Sequence, residues 1–119
     1  MSPTVHAIES VAVELFADGL LGAPLLRGVG LALEQRGFGV RHKVRLPSHH
    51  DGLLVAHATA DLLVGGDTAV LFSENATPEG LRRERLAQWL AATGLAAVVS
   101  IEPNSDPIAL SHERVKGEK

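Results

Sequence analysis

The chain has no cysteine and no tyrosine, and only one tryptophan and three phenylalanines in 119 residues. Without thiols it can build neither a disulfide framework nor a thiolate metal site, a composition that suits a reducing compartment. So few aromatic rings leave little material for the stacking platforms that grip single-stranded nucleic acid. A basic surplus is missing too: the net charge is −3 and the pI about 6.0, which argues against a sequence-independent nucleic-acid binder. No run approaches the roughly 18 apolar residues needed to span a bilayer, and Met1 to His6 carries no basic leader region. These absences leave a soluble cytoplasmic domain, with no membrane partner, as the expectation.

What is present is aliphatic. Hydrophobic residues make up 45% of the chain, enough at this length for one self-supporting core. From His6 to Phe16, apolar residues at Ile8, Val11, Ala12, Leu15 and Phe16 recur at helical spacing, and Asp18-Gly19 ends the helix. Pro24 suits the first turn of a second helix, which Leu25, Leu26, Val29, Leu31 and Leu33 carry to Arg36 before Gly37 caps it. Gly28 and Gly30 inside that helix each cost about 1 kcal/mol relative to Ala. No strand precedes them and the third glycine position is Leu33, so a dinucleotide-binding loop is excluded. Close packing against a neighbouring helix or subunit remains.

Phe38 to Pro47 alternates as a half-buried strand. Phe38, Val40, His42, Val44 and Leu46 share one face, and Arg41, Lys43 and Arg45 form a basic outer face suited to guarding a sheet edge. Ser48-His49-His50-Asp51-Gly52 reads as a polar turn. Imidazole and carboxylate are ordinary zinc ligands, but adjacent loop residues seldom converge on one ion. Leu53 to Val64 and Thr68 to Glu74 read as two strands joined at Gly65-Gly66-Asp67. Thr77, Pro78 and Glu79 then start a helix that runs to about Thr93 and Gly94, with Leu86, Trp89 and Leu90 inward and Arg82, Arg83 and Glu84 outward. Leu95 to Ile101 reads as a strand covered on both faces. Ile108 to Val115 adds an edge strand, and residues 116–119 form a frayed tail.

Asp61 stands out. It is the only acidic residue in the apolar run from Leu53 to Val64, where an unpaired buried carboxylate is costly. Strand parity puts Leu54, Ala56, Ala58, Ala60, Leu62 and Val64 on one apolar face and His57, Thr59 and Asp61 on the other. Val70 and Phe72 of the next strand join the core, while Ala69, Leu71 and Ser73 lie beside Asp61.

The element order is helix, helix, three strands, helix, strand, strand. In that order come Gly19-Leu20-Leu21, Leu33-Glu34-Gln35-Arg36-Gly37, Val44-Arg45-Leu46-Pro47, Ala60-Asp61-Leu62-Leu63-Val64 and Leu86-Ala87-Gln88-Trp89-Leu90-Ala91-Ala92-Thr93-Gly94-Leu95, at intervals that match those of a known family without insertions or deletions. With these segments the chain resembles the GxxExxY family of the PD-(D/E)XK nuclease-like superfamily, over about Val5 to Val115. The resemblance implies a single α/β domain over residues 1–119 with a restriction-endonuclease-like core: two N-terminal helices, a central mixed sheet of four or five strands and a crossover helix.

It also implies where the nuclease chemistry belongs, and there the chain departs. The family's motif Gly falls on Gly19, but its Glu falls on Gly22 and its Tyr on Leu25. The Glu and Lys of its Glu-x-Lys fall on Leu71 and Ser73, and its helical Gln falls on Arg85. Asp61 alone survives, and Mg²⁺ sites usually combine one or two carboxylates with substrate phosphates. Without the lysine, nothing there activates water or neutralises developing charge. Glu74 lies on the opposite face by parity and needs a bulge to join Asp61. Asp61, Ser73 and Arg85 therefore outline a vestigial site, with an Arg85–Asp61 ion pair expected where the metal and lysine would stand.

Three roles follow. The first is a catalytically silent binding or homo-oligomeric assembly subunit with no cofactor. The second is a Mg²⁺- or Mn²⁺-dependent nuclease using Asp61 and Glu74, with Arg41, Lys43, Arg45, Arg82 and Arg83 on phosphates. The third is nucleic-acid or small-ligand binding without cleavage, with Ser73, His57 and Arg85 as polar contacts.

Overall fold

The computed structural model describes residues 3–20, 22–72, 79–102 and 109–114. It is an α/β fold of three helices and a mixed sheet. The order is α1 (Pro3–Ala17), α2 (Gly22–Gln35), β1 (Val40–His50), β2 (Leu53–Val64), β3 (Thr68–Phe72), α3 (Glu79–Thr93), β4 (Ala97–Glu102) and β5 (Ala109–Arg114). Spatial strand order follows chain order: β1, β2 and β3 form an antiparallel meander, β4 lies parallel to β3, and β5 lies antiparallel to β4. A parallel step needs a crossover connection, which α3 supplies.

The first two helices cover one face of the sheet. Ile8, Val11, Leu25, Val29 and Leu33 pack with Leu62, Val64, Val70, Val99 and Ile101, all essentially sealed from solvent. On the opposite face α3 places Leu86 and Leu90 against Ala60, Ala69 and Val98, with Leu46, Leu71 and Trp89 partly buried around them. The central strands therefore lie between two helical layers, which is why β4 is buried at every position from Ala97 to Glu102 and reads in sequence as an unbroken apolar run.

Gly37 closes α2 at φ +94°, a conformation costly for any residue with a Cβ. The Gly37 N–H donates to the Glu34 carbonyl and the Phe38 N–H to that of Leu33. The helix thus ends where the chain must turn into β1. Gly28 and Gly30 serve close approach. A Cβ on Gly28 would lie 3.0 Å from Leu15 of α1, and one on Gly30 would lie 3.1 Å from the ring of His42 on β1.

Several boundaries differ from those expected. β1 runs on through the expected polar turn to His50, and the reversal is the two-residue turn Asp51-Gly52, with both residues at positive φ (51° and 79°). That geometry is the one favoured for tight hairpins, and Asp-Gly is among its strongest signals. Thr77, Pro78 and residues 116–119 lie outside the described residues.

Candidate functional site

The β1–β2 hairpin changes character halfway along. Near its base the ladder runs Val40↔Val64, Arg41↔Leu63 and His42↔Leu62, then steps to Val44↔Ala60. Lys43 and Asp61 face each other between those last two rungs, and Lys43 has a left-handed φ of +52°. Here the sheet faces exchange. Leu62 and Val64 pack beneath α1 and α2, whereas Ala60, two residues away, packs beneath α3. The single apolar face expected from Leu54 to Val64 therefore does not exist, because regular alternation is broken by the bend at Lys43.

Asp61 occupies the inside of this bend. Its Oδ1 accepts from Lys43 Nζ at 3.0 Å and its Oδ2 accepts from the Phe72 backbone N–H at 2.8 Å. β2 and β3 pair only at Leu62↔Val70, Leu63↔Ala69 and Val64↔Thr68. At Phe72 the strands have diverged, so the carboxylate takes the N–H that a longer ladder would have satisfied. Asp61 thus caps the end of the β2–β3 ladder at the point where β3 leaves β2, and charge-assisted bonds of this kind are the stronger ones. Its side chain is 22% exposed and that of Lys43 70%, so the ion pair itself is largely screened.

Of the residues expected to outline a vestigial site, the structure brings few together. Arg85 is exposed on α3, and the cation that meets Asp61 is Lys43 rather than Arg85. The expected Arg85–Asp61 pair is thereby corrected: an edge-strand lysine directly opposite reaches the carboxylate first. Leu71 packs with the α3 cluster, and Gly22 opens α2. His57 is exposed on the distal hairpin, opposite Pro47. Ser73 and Glu74 lie outside the described residues. Among the described residues, no group of three or more His, Asp or Glu side chains could hold a metal ion, and no helix is long and apolar enough to cross a membrane.

Two features escaped sequence reasoning. One is Lys43 as the partner of Asp61. The other is the distal hairpin, which extends past Ala60 with Leu53, Leu54 and Val55 exposed by 69%, 57% and 61%. Between its tip and the C-terminal half of α3 lies a cleft of about 710 Å³, lined by Ser48, His49, His50, Asp51, Val55, Gln88, Ala91 and Ala92. Comparison with protein-family models, with curated proteins and with solved structures returns no match for the chain.

Proposed function

We propose that the chain is a divergent, catalytically silent PD-(D/E)XK-like domain of the GxxExxY type, acting as a binding or homo-oligomeric assembly subunit. The observation that carries this reading is the state of Asp61. One oxygen holds an ammonium group and the other a backbone N–H, so the carboxylate serves as a strand cap. A divalent ion on the same carboxylate would have to displace the Lys43 ammonium from Oδ1 or the Phe72 N–H from Oδ2. The meander of three antiparallel strands followed by a helix and a parallel fourth strand supports the restriction-endonuclease-like core. The family positions for Glu and for Glu-x-Lys hold Gly22, Leu71 and Ser73, which supply no ligand or cation of the required kind. The assembly half of the proposal draws on the exposed apolar hairpin tip, since contiguous exposed apolar patches mark interaction sites.

The test has two arms. Plasmid and single-stranded DNA are incubated with the purified chain in Mg²⁺ or Mn²⁺, alongside Asp61→Ala; the expected result is no cleavage above that control. Metal-dependent cutting abolished by Asp61→Ala would overturn silence and restore the nuclease. Light scattering on a sizing column reads the second arm, where a species heavier than the 12.5 kDa chain is expected. A strict monomer would remove the homo-oligomeric role.

A further inference from the structure

We infer that Asp51-Gly52 is a self-modification site, where the main chain isomerises through a succinimide to isoaspartate, and that the fold selects it over an identical tripeptide elsewhere. Asp-Gly-Leu occurs twice in the chain, at residues 18–20 and 51–53. In both, the nitrogen that would attack the aspartyl carboxyl group belongs to glycine, which has no Cβ to hinder it. The local chemistry is therefore shared, and structure decides between the two.

At the end of α1 the tripeptide is locked. The N–H groups of Asp18, Gly19 and Leu20 donate to the carbonyls of Glu14, Phe16 and Leu15 at 3.1, 3.0 and 3.1 Å. The Gly19 nitrogen must give up its bond before it can attack, and its neighbours hold the backbone on either side. At the hairpin tip, among the described residues, the Gly52 N–H makes no such turn bond. The Asp51 side chain is 88% exposed, and a Cβ on Gly52 would meet nothing within 4 Å. Nothing packed against the turn therefore opposes the rotation that brings Cγ onto the nitrogen. A proton source stands alongside, since His50 Nε2 lies 3.4 Å from Asp51 Oδ2.

The step needs no reagent but water. The Gly52 nitrogen bonds to Asp51 Cγ, and one carboxylate oxygen leaves as water, carrying the amide proton and a proton from the His50 imidazolium. Water then adds at either carbonyl of the ring and reopens it as aspartate or isoaspartate, returning the proton to the imidazole. In isoaspartate the main chain runs through the side-chain CH₂ and is one carbon longer. Hairpin register is fixed by turn type and loop length, so an added backbone atom between His50 and Leu53 breaks the rung that these two residues form. Conversion thus unpairs the end of the ribbon.

Ageing of the full chain for weeks at physiological pH and temperature tests this, with isoaspartate counted by an isoaspartyl-specific methyltransferase and located by mass spectrometry of its peptides. The native chain is expected to gain isoaspartate at Asp51 at least about tenfold faster than at Asp18, the ratio that about 1.4 kcal/mol of added barrier gives. In urea, where neither site keeps its fold, the two rates are expected to converge. His50→Gln is expected to slow conversion at Asp51 in the native chain and to leave Asp18 unchanged. Equal rates in the native chain, or no isoaspartate at Asp51, would overturn the site. The same gap persisting in urea would overturn selection by the fold, and a His50→Gln chain that ages like the wild type would overturn the part given to the imidazole.

Discussion

The two halves of one hairpin behave as different materials. At the base, Leu62 and Val64 are fully buried because α1 and α2 lie over them. Beyond Ala60 the same two strands, with the same kind of apolar residues, stand in solvent: Leu53, Leu54 and Val55 are each more than half exposed. Antiparallel pairing runs through both halves, with a one-residue slip at Val55 in the distal one, and the larger difference is cover. An apolar strand is a core strand only where another layer reaches it: the α1–α2 layer ends at the bend between Lys43 and Asp61, and α3 covers the ribbon only as far as Leu46 and Ala60.

The most forceful way to break this comparison is to delete the same side chain in both halves. Leu62→Ala removes a sealed leucine between the helices and the sheet and is expected to cost about 2–5 kcal/mol of unfolding free energy. Leu54→Ala, in the monomeric state at low protein concentration, is expected to fall within about 0.5 kcal/mol of wild type. Urea denaturation of the two variants reads the difference. Similar losses would mean that the distal half is covered in the monomer and that the contrast is false.

Less forceful is removal of the cap at the boundary. Asp61→Ala leaves the Phe72 N–H without its acceptor and is expected to destabilise by about 1–3 kcal/mol, the range for stranding a part-buried donor. Asp61→Asn keeps a carbonyl oxygen that can accept the same bond, so it is expected to recover most of that loss. Denaturation midpoints for the pair distinguish a strand cap from a metal ligand, for which neither substitution would matter to the metal-free fold.

Much of the scaffold was legible in the sequence, because local rules decide it. Apolar spacing in α1 and α2, Gly37 after the second helix and the unbroken run of β4 each reflect one element meeting its nearest cover. The partner of Asp61 was not legible, for a reason that lies in register. Counting back from the Asp51-Gly52 turn, the rungs His50↔Leu53 and His49↔Leu54 would set His42 against Asp61. Instead, one extra residue on β2, Val55, shifts the pairing at Ser48↔Ala56, and Lys43 moves into place. A one-residue slip sends every side chain to the other face, and nothing in the residue types near Val55 announces it. The exposed tip was illegible for the same kind of reason, since the cover it lacks would have come from distant parts of the chain.

The finest test of the boundary concerns the backbone of Lys43. At φ +52° a residue with a Cβ carries roughly 1–2 kcal/mol of strain, and a β-branched residue is least tolerant of that region. Lys43→Gly relieves the strain. Against this it loosens the unfolded chain by about 0.5–1 kcal/mol and forfeits an exposed ion pair worth about 0.2–1 kcal/mol. These terms nearly cancel, so Lys43→Gly is expected to lie within about 0.5 kcal/mol of wild type. Lys43→Val loses the same pair and adds strain, and is expected to fall at least about 1 kcal/mol below the glycine variant. In an ordinary edge strand the order would invert, because valine favours strands and glycine weakens them. Thermal melts of the two proteins therefore report whether the hairpin turns at Lys43: glycine above valine supports the bend that separates the two halves, and valine above glycine means a straight ribbon and a single continuous face.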